Sequence, residues 1–463
     1  MLNYFPKYFT HRSIALYFIV LAIVSVLFLE QILPFQFMLF GIVTVIVFFY
    51  FSNTLSKKWN GYPEKKITKK LFVTALIVRL AYVLFSYWYY IYMTGQPFQY
   101  HPVDVLMYDA VAGDLATRGF AHYEGALQGM GTSDIGYPIY LGIVYMILGK
   151  SILVARLIKA LISAFTCVLI YRLAKRNFGE RIGRIAGILS MLMPHFIYYC
   201  GLHLKETEMV FLTVAFVERA DYLLHNKKYN FLNIIIPILL AGSLFFFRTV
   251  LGVTVLMAFF LTIVLLSGKI AGWGKRILIG ICLITTVGYF LGARIFTEVE
   301  ETWEDRHDSQ QRRLELRARR NEFAQYAGAA IFVPMIFTIP FPTMINIEDQ
   351  ENQQLMNGSN FVKNITAFFT MMGIFLLFYR KKWKDHIFIL SFLIGYLAVI
   401  SVSAFAHSER FHLPSLPFAL IIAAYGLSQM DNKMKVYFNT YLAIIFVAII
   451  AWSWFKLAGR GLV

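Results

Sequence analysis

Residues His101–Pro138 read HPVDVLMYDAVAGDLATRGFAHYEGALQGMGTSDIGYP, a polar stretch between long apolar segments. In a chain whose formal net charge is +17, this stretch has a single basic Lys or Arg residue, Arg118, and five acidic ones: Asp104, Asp109, Asp114, Glu124 and Asp134. Apolar residues recur at helical spacing over Val105–Gly119, which predicts a helix that lies flat at a membrane surface. Carboxylates concentrated in one loop of a basic protein indicate a site.

The composition around this loop is that of a membrane protein. Of the 463 residues, 59% are hydrophobic and 15% are charged, whereas soluble domains have about 45–50% and about 25%. Several apolar runs reach about 18 residues or more, enough to cross a bilayer as a helix, and a transmembrane barrel would instead show alternating segments of about 10 residues. We therefore predict an all-α polytopic membrane protein with about 13 transmembrane helices.

The basic residues predict which side each loop occupies. Lys and Arg fall mainly in short turns between apolar runs, and Ser56–Lys70 alone contains six lysines. Such turns are typical of cytoplasmic loops, so we read the positive charge as membrane anchoring and expect no nucleic-acid partner. The next apolar run, Leu71–Met93, then leads outward and places His101–Pro138 on the non-cytoplasmic side.

We divide the chain into an N-terminal transmembrane hairpin, a membrane core, and a last transmembrane helix with its tail: residues 1–52, 71–430 and 436–463. The core carries two outer loops, 94–136 and 298–360. Tyr137–Leu148 is too short to span and is predicted to be a re-entrant or interfacial helix. Ile182–Tyr199 is predicted to be one span.

In this topology several charged residues emerge at outer helix ends, where they can share one cavity: Asp104, Lys205, Glu206, Arg248, His407 and Arg410. Each of them alone can be explained as a snorkelling anchor, and Lys205 with Glu206 as a local ion pair that caps a helix. Together, a carboxylate and several cations suit group transfer from a phosphate leaving group. Arginine binds phosphate oxygens with two parallel bonds, lysine acts as a point charge, and a carboxylate can take a proton from an attacking hydroxyl.

A set of short motifs runs from Leu71 to Leu427: Asp104-x-x-x-Tyr108-Asp109-x-x-Ala112, Gly136-Tyr137-Pro138, Leu148-Gly149-x-Ser151, Arg156, Tyr171–Gly179, Pro194, Lys205-Glu206, Phe247-Arg248-Thr249 and Glu409–Pro414. In this combination the chain resembles the integral-membrane GT-C glycosyltransferases of families 39 and 83. These include protein O-mannosyltransferases and lipid A aminoarabinose transferases. Gly136-Tyr137-Pro138 departs from the paired residues that many members have there.

The resemblance implies a GT-C fold in the inner, cytoplasmic membrane, with an active site facing the outside or periplasm. It implies a polyprenyl-phosphate-linked sugar as donor, a protein, lipid or glycan as acceptor, and no cofactor. The catalytic carboxylate of the family's first outer loop corresponds to Asp104, which we assign as the general base of an inverting transfer.

The other site residues follow from the same resemblance and from their charge. Asp109 is the second candidate for the base, although it can equally hold a sugar hydroxyl or be solvated. The candidates for binding the donor phosphate are, in order, Arg248 and Arg410, then Lys205, then His407. Glu206 and Tyr108 are assigned to orienting these groups or to contacting the sugar. No metal is required by this interpretation, and no residue spacing specifies metal ligands.

Two other functions remain open at this point. A transporter or flippase of lipid-linked sugars would use the same outer cations without breaking a bond, although the chain shows no internal repeat of the kind transporters have. An O-antigen polymerase or ligase would rely on arginines of a large outer loop, such as the Arg312–Arg320 cluster. The sequence leaves open which sugar and which acceptor are used.

Overall fold

The computed structural model describes residues 3–127, 130–225, 230–265, 335–401, 408–432 and 434–462. Throughout these ranges the regular structure is helical, and the prediction of an all-α protein is confirmed. The α-helices are α1 (Lys7–Leu27), α2 (Phe35–Lys58), α3 (Glu64–Thr94), α4 (Val103–Arg118), α5 (Tyr123–Ala126), α6 (Gly136–Leu148), α7 (Ile152–Phe178), α8 (Glu180–Leu192), α9 (Pro194–Cys200), α10 (Glu206–His225), α11 (Phe231–Phe247), α12 (Thr249–Leu265), α13 (Glu351–Leu355), α14 (Asn357–Tyr379), α15 (Ile387–Ser401), α16 (Glu409–His412), α17 (Leu416–Ser428) and α18 (Met434–Ala458).

Within the described ranges, 7 helices are long and apolar enough to cross a membrane: α1, α2, α3, α7, α14, Trp383–Ser401 and α18. Helix α3 has 31 residues, a length of about 46 Å at 1.5 Å per residue, which exceeds a hydrocarbon core of about 30 Å. The protein is therefore a multi-pass membrane protein. The figure of about thirteen spans stays a prediction, since one predicted span, Ile277–Phe296, lies outside the described residues.

The predicted span Ile182–Tyr199 is divided into two helices, α8 and α9. Met193 separates them with an extended backbone (φ −60°, ψ 115°), and Pro194 begins the next helix. Proline has no N–H to donate to the preceding turn and disfavours a helical conformation at the residue before it. The break turns α9 out of line with α8 just before the segment that leads to Lys205 and Glu206.

The N-terminal hairpin packs on the core through α2 and α14, and α1 also contacts α18. Two glycines allow the close approach of α2 and α14, because a Cβ on Gly358 would lie 2.6 Å from the carbonyl oxygen of Gly41. Beside them, Tyr17 donates a hydrogen bond to Asn357, whose Nδ2 donates to the Phe37 carbonyl at 3.0 Å. Buried polar bonds of this kind fix the hairpin against the core.

Candidate active site

Helix α4 presents Asp104 in its first turn. The helix begins directly after Pro102, and an acidic side chain there is favoured by the positive end of the helix dipole. The Asp104 side chain is 45% exposed. Tyr108 lies one turn further along the same face and is buried.

One guanidinium joins Asp104 to a second carboxylate. Arg410 donates from Nη1 to Asp104 Oδ2 at 2.7 Å and from Nε to Glu206 Oε1 at 2.7 Å. The Glu206 side chain is 1% exposed and that of Arg410 is 24% exposed. Burial alone would raise the pKa of Glu206, but the nearby Arg410, Arg248 and Lys205 outweigh it and hold that pKa below its usual value. The structure thus brings the predicted residues Asp104, Glu206 and Arg410 into direct contact.

Lys205 is bonded to a neighbouring loop. Its side chain is 3% exposed, forms an ion pair with Asp134 and donates to the Ser133 carbonyl at 2.9 Å. Tyr108 donates to the same Asp134 Oδ1 at 3.1 Å. Burial would raise the pKa of Asp134, but the charge and hydrogen bond of Lys205 dominate and lower it. Sequence reasoning noted Asp134 only as one of the loop's acids, although its place two residues before Gly136-Tyr137-Pro138 was a usable signal.

Arg248 lies at the junction of α11 and α12, where its extended backbone (φ −168°, ψ 109°) separates the two helices. Its Cζ is 4.1 Å from the centroid of the Phe411 ring, and the Cζ of Arg410 is 5.8 Å from the same ring. Arg248 Nη1 is buried and has no hydrogen-bond partner among the residues that the structure describes. A buried donor in this state is available to an anionic ligand.

Asp104 and Arg410 line a cavity of about 280 Å³. Its wall also includes Gln99, His101, Asn352 and Glu409. Two contacts, which we call the rim, lie beside this wall. His101 Nε2 lies 3.1 Å from Glu351 Oε2, and Asn352 Nδ2 donates to the Tyr100 carbonyl at 2.7 Å. The segment at residues 94–136 and the described end of the segment at residues 298–360 therefore meet at this cavity.

Asp109 belongs to a separate cluster. Tyr145 donates to its Oδ1 at 2.6 Å, Lys150 Nζ is 3.0 Å from its Oδ2, and His203 Nε2 is 3.7 Å from its Oδ1. Burial, with Arg156 as the largest nearby charge, lowers the pKa of His203 well below its usual value. Asp109 is held by partners other than those of Asp104.

Two further predictions fall on parts of the chain that the structure does not describe. His407 and the Arg312–Arg320 cluster lie outside the described residues. Within the described ranges, no group of three or more His, Cys, Asp or Glu side chains is arranged to hold a metal ion.

Comparison with known proteins gives one family match. The family model of dolichyl-phosphate-mannose-protein mannosyltransferase matches residues 135–290, about a third of the chain. This range includes the Asp134-adjacent turn, Lys205, Glu206 and Arg248. A search of curated proteins found no match.

Solved structures similar in fold include those of oligosaccharyltransferase from Archaeoglobus fulgidus, among them the enzyme named AglB. A complex with zinc and sulfate shares 12% identity at a TM-score of 0.50, covering 85% of this chain and 52% of that one. A complex with an inhibitory peptide and a dolichol-phosphate shares 13% identity at a TM-score of 0.50, covering 86% of this chain and 56% of that one. The chain thus spans about half the length of these enzymes. The resemblance found in the sequence is confirmed: the chain has the fold of the integral-membrane GT-C glycosyltransferases and contains a segment that matches their protein mannosyltransferase family.

Proposed function

We propose that the protein is a membrane glycosyltransferase that moves a sugar from a polyprenyl-phosphate-linked donor to a hydroxyl-bearing acceptor on the non-cytoplasmic side. The observation that carries this proposal is a carboxylate at the cavity, Asp104, that is bridged by Arg410. Arg410 shares the Phe411 ring with a second guanidinium, Arg248, whose Nη1 is unpaired among the described residues. The match to dolichyl-phosphate-mannose-protein mannosyltransferases supports the same class of donor.

Asp104 is the general base of this proposal. Arg410 occupies its Oδ2, while Oδ1 makes no hydrogen bond within the described part of the chain. The acceptor hydroxyl transfers its proton to Asp104 as its oxygen forms a bond to the anomeric carbon from the face opposite the phosphate. The bond from that carbon to the phosphate oxygen breaks, the electron pair leaves with the lipid phosphate, and the sugar is inverted.

Arg248 is the residue we assign first to the donor phosphate. The other two cations chiefly stabilise the site. Arg410 already binds Asp104 and Glu206. Lys205 already binds Asp134 and Ser133. Arg248 Nη1 has no partner among the residues that the structure describes, and the Phe411 ring packs against the Arg248 guanidinium. As negative charge develops on the departing phosphate, this fixed cation stabilises it.

The proposed sidedness rests on where the charges lie along the bundle. Near the start of α3, Lys175 forms an ion pair with Glu64 at 2.5 Å, and Arg184 donates to the Trp59 carbonyl at 3.1 Å. These contacts gather the basic turns at one end of the membrane helices, while Asp104 follows the other end of α3. The rule that basic loops stay in the cytoplasm then places Asp104 outside, as in a periplasm or its equivalent.

The proposal is tested by incubating the purified protein in detergent with polyprenyl phosphates that carry radiolabelled sugars. Transfer to a membrane extract and release of free sugar to water are both measured. We expect Asp104→Asn to reduce turnover at least about 100-fold, as loss of a general base does. Asp109→Asn, on the same helix, is the matched control and is expected to reduce turnover much less.

Loss of turnover in Asp109→Asn with retention in Asp104→Asn would reverse the assignment of the base. If the wild type binds the donor but cleaves none of it, transbilayer movement of the lipid in liposomes is measured next. Rapid movement there would replace the glycosyltransferase with a flippase.

A further inference from the structure

Two amide side chains on the wall of the 280 Å³ cavity each have an oxygen atom without a hydrogen-bond partner among the residues that the structure describes. The Glu409 carboxyl, which accepts a hydrogen bond from the backbone, lines the same wall. Gln99 is 7% exposed, and its Oε1 is unpaired. Asn352 commits its Nδ2 to the Tyr100 carbonyl, which leaves its Oδ1 unpaired. The Glu409 carboxyl forms no hydrogen bond or ion pair with any other side chain that the structure describes. All three groups can accept hydrogen bonds from a ligand.

Unpaired polar atoms are uncommon inside folded proteins, because the great majority find a protein or water partner. Two of them on residues that line one cavity, together with the Glu409 carboxyl, therefore indicate a ligand that brings several donors. A phosphate does not fit this wall, since its oxygens are themselves acceptors. The phosphate belongs beside Arg248, whose guanidinium is all donor.

We propose that Gln99, Asn352 and Glu409 are specificity-determining residues that accept hydrogen bonds from the hydroxyl groups of the transferred sugar. The identity of the ligand as a sugar rests on the proposed function. A cavity of 280 Å³ lies at the lower end of small-molecule sites, about 300–1,000 Å³, and suits a single ring better than an oligosaccharide.

The residues assigned to the sugar from the sequence already have protein partners, although Glu206 Oε2 is buried without one among the described residues. Tyr108 donates to Asp134, and Glu206 accepts from Arg410. Burial raises the pKa of Glu409 above its usual value. The two amides and the carboxyl can each bond only a hydroxyl that points toward them. A site built to bond a hydroxyl discriminates strongly against a ligand that lacks it.

The test compares the binding of two probes to the purified protein in detergent. The first probe is polyprenyl phosphate. The second is a series of the same lipid, each member of which carries one sugar: mannose, glucose, galactose or arabinose. Gln99→Met and Glu409→Met remove the acceptors while nearly keeping side-chain volume. Asn352 is left intact because its Nδ2 also holds the rim at Tyr100.

We expect the wild type to bind its preferred glycosylated lipid at least about tenfold more tightly than the bare lipid. In each variant this preference should fall by about five- to tenfold, because one hydrogen bond to the sugar is lost. Affinity for the bare lipid should stay unchanged in both. Arg248→Ala should instead weaken binding of both lipids equally. Gln36→Met and Glu30→Met, at exposed positions outside the cavity, serve as matched controls and should leave both affinities as they are.

A wild type that does not distinguish the glycosylated lipids from the bare one overturns the subsite, even if it transfers sugar. So does a preference that survives in both variants. If the preference is present and lost as expected but no sugar is ever transferred, the subsite stands and the proposed transfer reaction falls.

Discussion

Arg410 and Asp104 are hydrogen-bonded at 2.7 Å although 306 positions separate them in the chain. The same guanidinium binds Glu206, which begins α10, at 2.7 Å. A single planar cation thus connects the first outer loop, the start of α10 and the turn before α17. Planar geometry matters here, since the bonds leave from two different nitrogens in fixed directions.

The two arginines of the site should affect different kinetic constants. We expect Arg410→Ala to lower kcat strongly, because Asp104 loses the group that orients it and the buried Glu206 loses the cation that is hydrogen-bonded to it. Arg248→Ala should mainly raise KM for the donor, by about tenfold or more, since it removes a charged hydrogen bond to the phosphate. Steady-state kinetics with varied donor concentration separate the two effects.

Arg410→Lys is the matched control for geometry. It keeps the charge but cannot bridge two carboxylates through a fixed fork, so kcat should fall to a value between wild type and Arg410→Ala. Equal changes of KM in Arg410→Ala and Arg248→Ala, with kcat untouched in both, would argue against a positioning role for Arg410.

The Lys205–Asp134 pair should stabilise the fold in a pH-dependent way. The pKa of Asp134 is lowered in the folded protein. The ion pair therefore contributes fully to the free energy of unfolding above the unfolded pKa of about 3.9, and this contribution is lost as the pH falls through the folded pKa. Asp134→Asn should cost about 1–3 kcal/mol at pH 7, less than for a fully buried pair because the Asp134 side chain is 41% exposed. The difference from wild type in melting temperature should be constant from about pH 5 to 8 and shrink below about pH 4.

Asp114→Asn provides the comparison for this pair. Asp114 lies 2.7 Å from Arg118, whose side chain is 70% exposed, and such surface pairs contribute about 0–1 kcal/mol. Equal loss of melting temperature in Asp114→Asn and Asp134→Asn would contradict a special role for the Lys205 contact.

Much of the architecture was predictable because apolar length and basic turns depend on the bilayer, not on details of packing. The gathering of Asp104, Glu206 and Arg410 was also anticipated, since residues at the outer ends of spans share one face of the membrane. Their actual bonds were not, because a contact across 306 positions depends on how helices pack. Proline at 194 did mark the break that divided a predicted span.

The acceptor wall of the cavity could not be predicted in the same way. Gln99 and Asn352 are neutral amides, and nothing in a single sequence distinguishes them from solvated loop residues. Glu409 was noted only as part of a motif beside Arg410. What marks Gln99 and Asn352 is an unpaired oxygen on a residue that lines a cavity, and what marks Glu409 is its place on the same wall, all of which are properties of three-dimensional packing.

Packing of the N-terminal hairpin should depend on the glycine contact between α2 and α14. Gly358→Ala places a methyl group 2.6 Å from the Gly41 carbonyl oxygen, so the helices must separate at a cost of about 1–3 kcal/mol. Gly242→Ala is the control, because nothing lies within 4 Å of its added Cβ, and in a helix it should be neutral or stabilising by up to about 1 kcal/mol. Melting temperatures in one detergent measure both, and a destabilised Gly242→Ala with an unaffected Gly358→Ala would refute the contact.

The rim contact at His101 should affect substrate use more than stability. His101 (φ 51°) and Asp349 (φ 64°) both have left-handed backbones, and the rim segment is also held where Asn346 N donates to the Gln31 carbonyl of the hairpin at 2.9 Å. Asn tolerates this backbone better than most residues, so His101→Asn removes the contact to Glu351 without adding strain. We expect KM for the donor to rise a few-fold, kcat to stay near wild type and the melting temperature to change little, because the pair is partly exposed.

His101→Val should add backbone strain of about 1–3 kcal/mol and lower the melting temperature as well. Identical kinetics in wild type, His101→Asn and His101→Val would show that the rim does not control access to Asp104.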